Sequence, residues 1–171
     1  MLTRTFVITP LLIVMLLFTN DFVTMSIATD HVSASPTPDR WDIRTLMLAG
    51  VSLASLILLL SFGVFFYGRN LLGLPLPQLR TLVFVMLVCT GQGMVYLVRE
   101  RRHFWNSSPS RWMIFSSVAD VSVVCFLSTR GILMAPLPYS MVGSVILAGV
   151  LYLIALDFLK VPIFGLLKYA S

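Results

Sequence analysis

Five long runs of apolar residues divide the chain, and short stretches rich in Pro, Gly, Ser and Arg separate them. The runs cover residues 9–27, 45–67, 79–98, 112–129 and 141–159. Each is close to the roughly 20 residues that a helix needs to cross a hydrocarbon core. None has the alternating pattern of a barrel strand, and backbone groups in lipid must be paired within their own segment. The pattern therefore predicts an all-α bundle of about five membrane-spanning helices, which forms a single transmembrane domain over residues 1–171.

Composition supports a membrane protein and argues against a soluble one. The chain is 58% hydrophobic and only 11% charged, whereas a soluble domain carries about 25% charged residues. Its basic residues, which give a net charge of +5, flank the apolar runs, so we interpret them as a topology signal and expect no nucleic-acid partner. Cys89 and Cys125 lie inside apolar runs, and we expect them to be packing residues rather than a disulfide or metal ligands.

The Lys and Arg residues are distributed unequally between the two sides of the predicted bundle. Eight fall on one side: Arg40, Arg44, Arg99, Arg101, Arg102, Arg111, Lys160 and Lys168. Four fall on the other: Arg4, Arg69, Arg80 and Arg130. Since cytoplasmic loops carry the excess of Lys and Arg, the first side is predicted to be cytoplasmic. This orientation puts the N-terminus outside and the C-terminus in the cytoplasm.

The first apolar run contains an unusual polar pair, Asn20 and Asp21, within "FTNDFVT". An ionised Asp at the centre of a membrane helix costs about 2.5–3.5 kcal/mol on insertion scales. Asn20, Asp21 and Thr24 are adjacent or three to four positions apart, so they share one helix face that can turn toward a bundle interior. One interpretation is an ion or proton site, because a buried carboxylate can take up and release a proton. The other is a structural interhelical hydrogen bond, worth about 0.6–2 kcal/mol.

Two further polar residues, Gln92 in "CTGQGMV" and Asp120 in "SSVADVSVV", lie at predicted membrane depth. Either can take part in function, or simply form a polar contact between neighbouring helices. Gly91 and Gly93 allow another helix to approach Gln92 closely. A nucleotide-binding interpretation of "GQG" would require a preceding strand, and the pattern predicts none.

The stretch "NDFVTMSIATDHVSASPTPDRW", residues 20–41, carries a resemblance to a known family. It resembles the sixth membrane helix and the following cytoplasmic loop of plasma-membrane proton-pumping P-type ATPases. The shared elements are the Asn-Asp pair, the Met/Ser/Ile run, a second Asp nine residues on, and "SPTPD" before Trp41. Downstream, "QGMVYLVRERRHFW" is similar to the end of the family's eighth helix and "LDFLK" to the end of the tenth. The resemblance thus covers almost the whole chain, as helices six to ten, and its topology agrees with the Lys and Arg distribution.

The resemblance implies roles for the polar pair. Asp21 matches the carboxylate that binds the transported proton, and Asn20 is the neighbouring polar residue of the same motif. Thr24, on the same predicted face, completes the expected ion-binding set. Phe22 is a departure, because the plant and fungal pumps have Gly after the Asp, where it eases local unwinding of the helix. This departure leaves transport of a cation other than the proton open.

Other parts of such a pump do not occur in the chain. It contains no Asp-Lys-Thr-Gly-Thr phosphorylation sequence, and it lacks the family's nucleotide-binding and actuator regions and first helices. The resemblance therefore implies that the chain is the C-terminal transport part of a plasma-membrane pump. It would be either a fragment or a truncated or split gene product. We expect no catalytic residue, metal site or cofactor here, and no ATP hydrolysis by the chain alone.

The expected partners follow from the same comparison. They are membrane lipids, the transported cation, and the pump's missing N-terminal helices and cytoplasmic domains, which would use ATP and Mg²⁺. The alternative is a self-standing small membrane protein, such as a proton-coupled carrier or an assembly subunit, that shares only the motif.

Overall fold

The computed structural model describes residues 8–27, 43–99 and 108–169, and within these ranges every regular element is helical. The helices are α1 (Pro10–Ile27), α2 (Ile43–Phe66), α3 (Leu76–Arg99), α4 (Arg111–Arg130) and α5 (Tyr139–Tyr169). A short π-helical segment, Tyr67–Leu71, continues α2. All five α-helices are long and apolar enough to cross a membrane. The predicted all-α fold class is confirmed.

Local sequence explains where several of these helices begin and end. Pro10 is the first residue of α1, a position where its missing N–H is not needed. Ser110 caps α4, since its side chain accepts a hydrogen bond from the Met113 N–H at 3.1 Å. At the other end of α4, Gly131 adopts a left-handed conformation with φ of 70°.

Helix α5 extends further than the apolar pattern predicts. The prediction ends the fifth helix at 159, whereas α5 continues to Tyr169. Lys160 ends the apolar run but not the helix, because a charged side chain limits a membrane span without breaking backbone hydrogen bonds. Pro162 lies inside α5, and membrane helices tolerate a proline whose lost hydrogen bond neighbouring groups can replace.

Helix α3 occupies the centre of the bundle and contacts each of the other four helices. Six consecutive residues from Thr81 to Met86 are buried, and the Phe84 side chain is 0% exposed. A helix that is buried on all sides in this way forms a core rather than an amphipathic surface. The other helices leave many large apolar side chains exposed, as expected of helices that face lipid.

Some sequence predictions fall on residues outside the described ranges. They are the "SPTPD" loop within 28–42, the basic stretch within 100–107, and Arg4. The orientation across the membrane stays a prediction.

Candidate functional site

Helix α1 packs so that its polar residues Asn20, Asp21 and Thr24 differ in exposure. Thr19 and Val23 are buried, Asn20 is partly buried, and Asp21 and Thr24 are exposed. Successive residues lie about 100° apart around an α-helix. A rotation that turns Thr19 and Val23 toward the bundle therefore leaves Asp21 on the open side. Of the three residues predicted to bind an ion, only Asn20 contacts the bundle interior formed by the described helices.

Asn20 lies against α3 at the position of a glycine. A Cβ atom added to Gly91 would lie only 2.8 Å from Asn20 Oδ1. A larger residue at 91 would displace the Asn20 side chain, so glycine allows the two helices to meet here. Asn20 Oδ1 is buried and has no hydrogen-bond partner among the described residues.

The neighbouring residue on α3, Gln92, links three helices. Its side chain is 3% exposed. Gln92 Nε2 donates a hydrogen bond to the Thr19 carbonyl oxygen of α1 at 3.1 Å and another to Asp120 Oδ2 of α4 at 3.0 Å. The other end of the same amide, Oε1, is buried and has no partner in the described part of the chain. The two polar residues that the sequence places at membrane depth on α3 and α4 are thus in direct contact.

A second polar contact joins α3 and α4 one turn away. Tyr96 Oη donates to the Met113 carbonyl oxygen at 3.1 Å and lies 2.9 Å from Ser117 Oγ. Together with the bond between Gln92 and Asp120, this contact forms a short polar ladder along the α3–α4 interface. Such interhelical bonds contribute about 0.6–2 kcal/mol each in membranes.

Asp21 and Thr24, the exposed residues of the predicted ion-binding set, lie on the side of α1 that faces away from the bundle. Thr24 Oγ1 donates to the Asn20 carbonyl oxygen at 2.7 Å, so its hydroxyl is bonded within its own helix. Asp21 lies six residues before Ile27, the last residue of α1, which corresponds to a rise of about 9 Å. This depth is well inside the apolar span, and the Asp21 carboxylate faces away from the described bundle.

Several of these contacts are not predictable from the sequence pattern. The Thr19 acceptor is a backbone carbonyl oxygen, and every residue has one, so the sequence does not indicate this contact. Tyr96 follows Gln92 by four positions and therefore lies on the same face of α3, which is a usable signal. The Tyr152 hydroxyl donates to the Leu56 carbonyl oxygen of α2. Asp157, near the end of the predicted fifth span, is 0% exposed.

The chemistry available at the α1–α3–α4 junction is that of hydrogen-bond acceptors. Asn20 Oδ1 and Gln92 Oε1 are amide oxygens without a donor in the described ranges, and Asp120 adds a carboxylate. Oxygens of these two kinds bind hard cations and accept hydrogen bonds from water. Polar groups of this kind at membrane depth are characteristic of ion and proton pathways.

The chain is similar along most of its length to an archaeal protein. The chain is 26% identical over 162 residues to the "putative cation-transporting ATPase MJ1226" of Methanocaldococcus jannaschii. That similarity covers 94% of this chain and 20% of the archaeal protein, so the chain spans about one fifth of the length of this relative. No family model matches the chain.

Proposed function

We propose that this chain is the C-terminal transport part of an ATP-driven cation pump and that the transported cation is a proton. Support for a cation-pump part comes from five apolar helices and from similarity to a cation-transporting ATPase along nearly the whole chain. Support for the proton is the resemblance of the Asn20–Asp21 motif to that of proton-pumping P-type ATPases. The proposed pump resides in the plasma membrane with the C-terminus of this chain in the cytoplasm.

The single observation that carries the proposal is the exposed Asp21 carboxylate within a membrane-spanning helix. An ionised carboxylate facing hydrocarbon is costly, and acidic residues in membrane proteins face a protein interior or a water-filled cavity. The open side of α1 therefore requires further protein or water against it. Additional helices of a longer pump meet this requirement.

In the proposed mechanism, Asp21 carries the transported proton. While the site is occluded, no water is present to accept the proton, so the site keeps it. When the site opens outward, water accepts the proton. Moving one charge against 100 mV takes about 2.3 kcal/mol. ATP hydrolysis by the cytoplasmic domains, with Mg²⁺, drives the alternation between the two states.

Asn20 contributes the second part of this site. Its amide lies against Gly91 of α3. Asn20 thus ties the helix that carries Asp21 to the centre of the bundle. Thr24 is the third proposed site residue, one turn further along α1.

The proposal is tested by the size and chemistry of the native polypeptide. An antibody raised against the peptide "ERRHFWNSSPS" should detect a membrane protein several times larger than the 19.1 kDa of this chain. That protein should form an acyl-phosphate from ATP, whereas the purified 171-residue chain should not. A native polypeptide of about 19 kDa that transports a cation without ATP would overturn the proposal and favour a self-standing carrier.

A further inference from the structure

The Gly91–Gln92–Gly93 segment of α3 is the point at which three helices meet. Gly91 faces Asn20 of α1, and a Cβ atom on Gly93 would lie 2.0 Å from the Leu153 side chain of α5. Between the two glycines, Gln92 is held in a nearly closed environment. Side chains of α1 and α5 pack directly against the α3 backbone on either side of Gln92, so its position is closely defined.

The direction of the Gln92 amide is set by its two acceptors. Nε2 lies 3.1 Å from the Thr19 carbonyl oxygen and 3.0 Å from Asp120 Oδ2. Turning the amide over would bring Oε1 against the Thr19 carbonyl oxygen, which cannot donate a hydrogen bond. Thr19 and Asp120 together orient the amide, and the amide holds the Thr19 carbonyl.

The Thr19 carbonyl belongs to the peptide group that leads directly into the Asn20–Asp21 pair. Inside a helix this oxygen already accepts the N–H four residues on, and Gln92 uses its second lone pair. The bond therefore fixes the Thr19–Asn20 peptide relative to α3. It also fixes the starting point from which Asp21 projects to the other side of α1.

Two amide oxygens are buried at this junction, one on α3 and one on α1. Buried polar atoms in proteins are normally paired, and an unpaired one calls for an explanation. Gln92 Oε1 and Asn20 Oδ1 are both buried without a partner among the residues described.

We propose that Gln92 is a positioning residue for cation transport: oriented by Asp120, its side-chain amide holds the Thr19–Asn20 peptide and thereby sets the placement of Asp21. This inference rests on the proposed function. It connects Asp120 on α4, through Gln92 on α3, to the proposed site on α1.

The first test uses the 171-residue chain itself in lipid nanodiscs. Thr19–Asn20 is the sole Thr-Asn pair in the sequence, so labelling Thr with ¹³C at the carbonyl and Asn with ¹⁵N isolates one NMR cross-peak. Gln92→Met has nearly the same length and shape but removes the donor. It should move this peak by more than its line width.

The matched control is Thr90→Val on the same helix. Thr90 is 1% exposed, and its hydroxyl donates to the Met86 carbonyl of its own helix at 2.8 Å. Thr90→Val should leave the Thr19–Asn20 peak in place. An unmoved peak in Gln92→Met, or an equal movement in Thr90→Val, overturns the inference. If Gln92→Met does not fold, Asp120→Leu should move the same peak, because it frees the amide.

The second test uses the longer ATP-dependent protein. Gln92→Met should raise the cation concentration for half-maximal transport by about two- to tenfold, the loss expected from one hydrogen bond, with little change in the maximal rate. Unchanged cation dependence in Gln92→Met, alongside lost transport in Asp21→Asn, overturns the positioning role alone. Undiminished transport in Asp21→Asn overturns the proposed function and the positioning role with it.

Discussion

At the residue scale, the bundle divides the Asn20–Asp21 pair between two environments. Asn20 contacts α3 at Gly91, while Asp21 is exposed one helical step away. The carboxylate therefore belongs to the residue that directly follows one packed against the core. Under the proposed function, the Asn20 contact fixes the position of the helix turn from which Asp21 projects.

A test of the polar ladder is the removal of one hydroxyl. Tyr96→Phe removes the donor to the Met113 carbonyl and leaves that oxygen without this interhelical bond. We expect the free energy of unfolding in micelles to fall by about 0.6–2 kcal/mol. Tyr139→Phe is the matched control because its ring is 75% exposed, and it should change stability very little. Equal effects of the two substitutions would contradict the ladder.

The sequence identifies the polar residues at membrane depth but not which way they face. Asn20, Asp21, Gln92 and Asp120 are recognisable as polar groups within apolar runs. Helical spacing alone groups Asn20, Asp21 and Thr24 on one face. Which part of that face is covered depends on the rotation of α1 against α3, and that rotation follows from side-chain packing at Gly91, a tertiary contact.

At the element scale, α3 organises the bundle because its small residues let other helices approach. Gly91 meets α1 and Gly93 meets α5. Close approach through small residues is a principal source of helix association in lipid, where burial of apolar groups gives no driving force. The existence and approximate limits of the helices are predictable from apolar runs, since bilayer thickness sets their length. The central position of α3 cannot be predicted in this way, because all five runs are apolar enough to span the membrane.

Substituting the glycines of α3 and α5 tests this packing. Gly93→Ala would place a Cβ atom 2.0 Å from Leu153 Cδ1. Overpacking of this kind costs about 1–3 kcal/mol, so the midpoint of thermal unfolding should fall. At Gly143 of α5 nothing lies within 4 Å of an added Cβ atom. Gly143→Ala should therefore be neutral or stabilising by up to about 1 kcal/mol. Loss of stability in Gly143→Ala but not in Gly93→Ala would contradict the packing described here.

At the scale of the whole molecule, two features bear on how the bundle lies in the membrane. They are the exposed side of α1 and the distribution of basic residues. The exposed side of α1 is largely apolar but carries the Asp21 carboxylate at membrane depth, which under the proposed function faces further protein or water. The eight-to-four distribution of Lys and Arg predicts which side of the membrane each loop occupies. The charge asymmetry can be read from the sequence alone, whereas the exposure of Asp21 on α1 becomes visible only in the folded bundle.

The predicted topology can be measured with single cysteines in a chain from which Cys89 and Cys125 have been removed. A membrane-impermeant thiol reagent applied to intact cells should label a cysteine at Gly73. It should not label one at Ser33 or Ser107 until the cells are opened. Labelling of Ser33 or Ser107 from outside would reverse the orientation.

The most direct measurement is ATP-driven proton uptake by vesicles that contain the proposed longer ATPase, with this chain as its transport part. Asp21→Asn should fold, because the amide and the acid have nearly the same shape, yet it should lose proton transport. Thr24→Ala, whose hydroxyl bonds within its own helix, should retain most of it. Undiminished proton uptake by the Asp21→Asn protein would contradict the account and leave Asp21 a structural residue.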